Sequence, residues 1–80
     1  MNAPTETLID VRALPQGSCR NVIFQAIHAL ADDDTLVIAA PHDPVPMRDY
    51  LGTAHPGEFG WDYLEEGPDV WRVRIRRVAP

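Results

Sequence analysis

Lysine is absent from this chain, and cysteine occurs once, at Cys19. A lone cysteine excludes an internal disulfide, so the fold must hold by packing, and it suits a reducing compartment. No apolar run approaches the roughly 18 residues that a membrane-crossing helix needs. The stretch from Met1 to Thr7 lacks the positive start and apolar body of a signal peptide. A cytoplasmic location with no membrane partner is therefore the expectation. All seven basic residues are arginine; genome composition explains that bias as readily as selection for guanidinium chemistry. Excess positive charge is missing too. The net charge is −5, with residues 1–71 at −9 and residues 72–80, which hold four arginines and no carboxylate, at +4. That balance argues against nucleic acid as a partner.

What is present is ordinary for a small globular domain: 80 residues, 45% apolar and 24% charged. A domain of this length buries only about 60% of the surface its unfolded chain exposes, so its core must be small and well used. Residues 1–6, polar and interrupted by Pro4, read as a flexible N-terminus, and residues 7–78 as one domain.

Thr7 to Val11 is rich in β-branched residues and reads as a first strand, left through the turn chemistry of Arg12 to Gly17. Ser18 suits a helix N-cap, and Val22, Ile23, Ala26, Ile27 and Leu30 recur at helical spacing on one stripe. Asp32, Asp33 and Asp34 oppose the dipole at that helix's end and belong in a solvated turn. Thr35 to Ala40 has the length and apolarity of a buried strand. Met47, Tyr50, Leu51 and Ala54 share a face of a second helix, stopped by His55-Pro56-Gly57.

Phe59 to Leu64 and Val70 to Arg76 form a hairpin pattern around Glu65 to Asp69. Its alternation places Phe59, Trp61 and Tyr63 on one face with Trp71, Val73 and Ile75, as sheet core beneath the helices. Asp62 then falls among Arg72 and Arg74 on a wet face. The order β-α-β-α-β-β predicts an α/β (α+β) two-layer sandwich: a mixed four-stranded sheet with two helices on one face, strands 1 and 2 being parallel.

That topology gathers the chemistry-bearing residues at one edge. Pro41 to Pro46 leaves the second strand there, facing the loop from Arg12 and the start of the first helix, while His28 and His55 belong at the opposite edge. Three readings of His42 and Asp43 stand open. They are a metal-ligand pair centred on His42, a hydrogen-bonding site for a polar ligand, or a junction in which Asp43 caps the second helix and His42 braces the loop. Arg12 and Arg48 bring anion-binding capacity to the same edge, with Glu65, Glu66 and Asp69 as competitors, and Asp10 is expected to pair with Arg12 or a backbone group. Cys19, in a helix first turn beside Arg20, is either a thiol of lowered pKa or a small packing residue.

Leu8-Ile9-Asp10-Val11-Arg12-Ala13-Leu14, followed by helix, strand and helix, resembles the opening of the TusA/SirA-like sulfur-carrier superfamily. His42-Asp43-Pro44-x-Pro46-Met47 and Trp61-x-Tyr63-Leu64-Glu65-Glu66-Gly67-Pro68-x-Val70-Trp71-Arg72-Val73 more closely resemble its branch of His-Asp-Pro proteins, domain of unknown function 2249. The likeness runs from about residue 8 to residue 76 and implies the two-layer sandwich. In the sulfur carriers a Cys-Pro pair holds a persulfide one residue after the Asp-x-Arg-Gly-Leu segment. This chain departs from that pattern, with Gln16 where the nucleophile would stand and Cys19 three residues later. Some branch members are joined to hemerythrin-like domains, which implies a setting in metal or redox physiology.

Two functions follow as expectations. The first is a non-enzymatic accessory or binding module recognising a small polar ligand or a protein partner at the His42 edge, through Arg12, Cys19, Arg20, His42, Asp43 and Arg48. The second is a sulfur relay carried by Cys19. No cofactor is expected, with His42 as the place for a metal if one binds; no nucleophile, base and orienting group stand together as an enzyme would need.

Overall fold

The computed structural model describes residues 6–15, 17 and 19–78, without the side chains of Cys19 and Arg20. The strands are β1 (Glu6–Asp10), β2 (Thr35–Ala40), β3 (Phe59–Glu66) and β4 (Trp71–Arg77), and the helices are α1 (Cys19–His28) and α2 (Val45–Ala54). They form one four-stranded sheet in the order β1-β2-β4-β3. β1 runs parallel to β2, while β4 is antiparallel to both β2 and β3. The α+β sandwich read from the sequence is the fold observed. β3 consequently runs parallel to β1 and β2, so the turn after β3 rims the edge where those two strands end.

The core follows from the alternation of β2 and β4. Leu36 lies opposite Ile75 and Ile38 opposite Val73, and all four are sealed against Ile23, Ile27 and Leu30 from the first helical segment and Leu51 of α2. Burying a side chain of this size is worth about 1.5–3 kcal/mol, so this cluster is the main stabilising unit. Phe59, Trp61 and Tyr63 pack against it from β3. The Trp61 indole N–H is buried without a hydrogen-bond partner among the described residues. On the opposite sheet face, Arg74 pairs with Glu6 at 3.1 Å and Arg72 with Glu65 at 3.3 Å. Cross-strand registry sets Asp62 against Arg74, whereas Arg72 takes Glu65.

Four local details depart from the sequence reading. Val11 leaves the strand for a single 3₁₀ turn, Val11–Ala13, because the Asp10 side chain accepts from the Arg12 N–H and bends the chain. α2 starts two residues before Met47, with Pro46 in its first turn, where a missing N–H costs nothing. A bulge between Tyr63 and Glu65 leaves Leu64 exposed and brings Glu66, not Glu65, opposite Trp71. β1 opens at Glu6, inside the segment read as flexible. Residues 1–5, Gln16 and Ser18, with its expected N-cap role, lie outside the described residues.

Gly67 holds the β3–β4 turn at φ +61, and a Cβ there would stand 2.9 Å from Trp71 Nε1. Both the backbone angle and the indole therefore require glycine. At the other edge the aspartate turn docks on the end of β4: Asp33 N–H donates to the Arg77 carbonyl at 3.0 Å, and Arg77 N–H to that of Asp34 at 3.1 Å.

Candidate functional site

His42 sits just past β2, whose last residues Ala39 and Ala40 are buried, on a loop stiffened by Pro41, Pro44 and Pro46. Its ring is exposed, and Nδ1 stands 3.4 Å from the Asp43 carbonyl oxygen. Two adjoining clefts open around it. One, of about 360 Å³, runs between the helices and is lined by Phe24, Pro44, Pro46, Met47 and Tyr50 with His42. Its neighbour, of about 410 Å³, shares His42, Pro44 and Met47 and reaches Val11, Arg12 and Leu14 beside the end of β1. Both volumes fall in the range of small-molecule sites, and both walls are mainly apolar. Phe24 and Tyr50 meet edge to face, ring centres 4.9 Å apart, and close the interhelical end.

Asp43 does not cap α2. Pro44 occupies the cap position without a side-chain hydrogen bond, and the Asp43 carboxylate accepts instead from the Tyr63 hydroxyl at 2.7 Å. Arg48 donates to the same hydroxyl at 3.2 Å. Asp43 and Arg48 are thus gathered on β3, on the flank of α2 away from Arg12. The Tyr63 phenol is raised above its ordinary pKa, first because ionisation would remove the proton it donates in the hydrogen bond to the Asp43 carboxylate and second because burial disfavours charge.

Arg12 is closed on Asp10. Its Nε and Nη2 reach the two carboxylate oxygens at 2.9 and 2.8 Å, and its backbone N–H meets the same group at 3.0 Å. That side-chain pair, above all, lowers the Asp10 carboxyl from 3.8 to about 2 and raises the Arg12 guanidinium, with Glu65 a weaker neighbour of the arginine. The expected pairing of Asp10 is therefore found with both the side chain and the backbone of Arg12. Arg12 and Arg48 are not brought into one anion site.

Of the six sequence-derived candidates, Arg12 and His42 line one cleft, and Asp43 and Arg48 share Tyr63. Cys19 and Arg20 open α1, one turn before Ile23 and Phe24, and their side chains lie outside the described residues. Among the described residues, no cluster of three or more metal-ligating side chains is found. Tyr63, Met47, Tyr50 and Phe24 are the site residues that sequence patterning missed. Helical or strand periodicity accounts for Tyr63, Met47 and Tyr50 as core and leaves Phe24 beside the core stripe of the first helix, and only the proximity of the His-Asp-Pro loop marks them otherwise. His28 and His55 meet at the far edge, ring centres 5.6 Å apart, as the topology required.

A two-layer α+β domain with an open, mainly apolar cleft at the exit of its parallel strands is the class that this geometry defines. Residues 8–77 match the model of an uncharacterized conserved protein family, DUF2249, and the chain belongs to that family. No match is found among curated proteins or among solved structures. Among the described residues, no helix is long and apolar enough to cross a membrane.

Proposed function

We propose that this chain is a non-enzymatic binding or accessory module that engages a small ligand or a protein partner at the His42 edge. The observation that carries this reading is the convergence of two clefts on one exposed histidine whose ring, among the described residues, is tied only to its own loop. Arg12, Asp43 and Arg48 are each committed to another side chain, which favours recognition over turnover. The lining narrows the expected ligand from a polar one to one with an apolar body and a polar group. Kinship with the TusA/SirA-like superfamily and a setting in metal or redox physiology belong to the same proposal, supported by the element order and the placement of both helices on one sheet face.

Backbone amide shifts of ¹⁵N-labelled protein, recorded against a pool of small acids, amines, amides and phenols, test it. Perturbations grouped on Val11, Leu14, Phe24, His42, Met47 and Tyr50 are expected. Shifts scattered elsewhere, or none, would overturn it. Placement of Cys19 as the first residue of α1, on the cleft side of the sheet, sustains the sulfur relay as a second reading. It requires addition of one sulfur atom from a persulfide donor, seen by intact mass and abolished in Cys19→Ser; an unmodified wild type sinks it.

A further inference from the structure

Resting on the binding-module reading, we infer that the His42 cleft takes an uncharged aromatic ligand that presents a hydrogen-bond donor, such as a phenolic O–H, to His42 Nε2. The polarity of the donor follows from the ring's other nitrogen. Nδ1 faces the Asp43 carbonyl oxygen at 3.4 Å, and because a carbonyl can only accept, this contact favours the tautomer that carries its proton on Nδ1. In the neutral imidazole, Nε2 is then a lone pair, and it asks its ligand for an N–H or O–H.

The absence of charge follows from Arg12, the one cationic side chain among the described residues that line the two clefts. Its fork is already matched by both oxygens of Asp10. An anionic ligand would compete with a carboxylate held two residues away in the same chain, at a far higher effective concentration than any free ligand. Aromatic character follows from the walls. The apolar proline rings of Pro44 and Pro46, the polarizable Met47 thioether, and the Phe24 and Tyr50 rings form a slot whose best-matched filling is another ring.

Four probes of similar size separate these elements: phenol, anisole, benzoate and cyclohexanol, each titrated into the ¹⁵N-labelled protein. Phenol is expected to bind roughly three- to tenfold more tightly than anisole, in which a methyl group replaces the donor hydrogen, the range a single neutral hydrogen bond supplies. Benzoate and cyclohexanol should bind more weakly than phenol. In His42→Phe the phenol and anisole affinities should become equal while the amide spectrum stays dispersed, since residue 42 is exposed. Anisole or benzoate equal to phenol in the wild type would overturn the ligand class and leave the cleft standing as a site. Failure of all four to move cleft resonances, while another member of the wider pool of small acids, amines and amides does so, would likewise overturn the ligand class; failure of that whole pool would count against the binding-module reading itself. Preference for phenol that persists in His42→Phe would assign the acceptor to another group and overturn the role of His42.

Discussion

His42 and His55 stand at opposite edges of the same sheet, and their surroundings are allocated in opposite ways. The His55 Nδ1 is held 3.0 Å from Glu58 Oε2, and its ring meets those of His28, Tyr50 and Phe59 edge to face at 5.6–5.8 Å. Beyond it the Arg77 guanidinium lies over Phe59 at 5.5 Å, and the Val78 N–H donates to the Glu58 carbonyl at 2.8 Å. At the His42 edge the ring has one polar contact among the described residues, with its own neighbour's backbone, and faces open clefts. A histidine enclosed by rings and a carboxylate serves the fold, whereas one left open beside an apolar slot is available to a ligand.

Truncating each ring breaks this contrast most directly. His55→Ala should lower unfolding stability by about 1 kcal/mol, the order expected when aromatic edge contacts are lost with a hydrogen bond. His42→Ala should stay within about 0.5 kcal/mol of the parent, as an exposed surface change does. Urea unfolding of the three proteins decides it. A His42→Ala loss equal to that of His55→Ala would make the open edge a structural brace.

Much of this architecture is legible in the sequence, for reasons that differ by element. Thr35–Ala40 emerges as a strand with its observed bounds because its apolar run is buried on both faces, a requirement written into consecutive residues. The pairing of Trp61 with Ile75 and Tyr63 with Val73 follows from the two-residue period of strands and a short connection. The helix-cap role expected of Asp43 fails because its partner, Tyr63, lies 20 residues away in sequence on another strand. Short-range patterning carries no trace of that bond, and the same patterning assigned the Tyr63 ring correctly to the core while leaving its hydroxyl unread. Likewise Met47 satisfies helical periodicity, and Phe24 falls beside the stripe of the first helix, whether the space next to them is filled or empty, so the cleft had no signature of its own.

Tyr63 tests whether the open edge is held in place from below, by β3, instead of by His42. Removing the hydroxyl in Tyr63→Phe leaves the part-buried Asp43 carboxylate without its donor at 2.7 Å, a loss of about 1 kcal/mol. Amide exchange in the loop containing His42 should quicken while the His55 edge is unaffected. The alkaline titration carries the sign. A phenol whose folded pKa is raised contributes stability that is fully present below its unfolded value near 10.0 and is lost as pH rises through the higher folded value. Tyrosinate absorbance should therefore show Tyr63 ionising above the ordinary value, and Asp43→Asn should bring it down. An ordinary value in the parent would dissolve the Asp43–Tyr63 link.

The smallest effect expected concerns Arg12, and it bears on what the open edge can accept. With Asp10 depressed from 3.8 to about 2 by its bidentate contact, this pair contributes stability that is present above pH 3.8 and disappears as pH falls through about 2. Both groups are solvent-exposed, so the change in unfolding midpoint between those values will be slight, and the direct readout is the Asp10 carboxyl carbon shift followed by NMR. Arg12→Gln should return that titration toward 3.8. Should Asp10 already titrate there in the parent protein, its hold on the guanidinium is too weak to neutralise it. The Arg12 end of the cleft would then offer a free cation, and a carboxylate would displace the uncharged phenol as its fitting occupant.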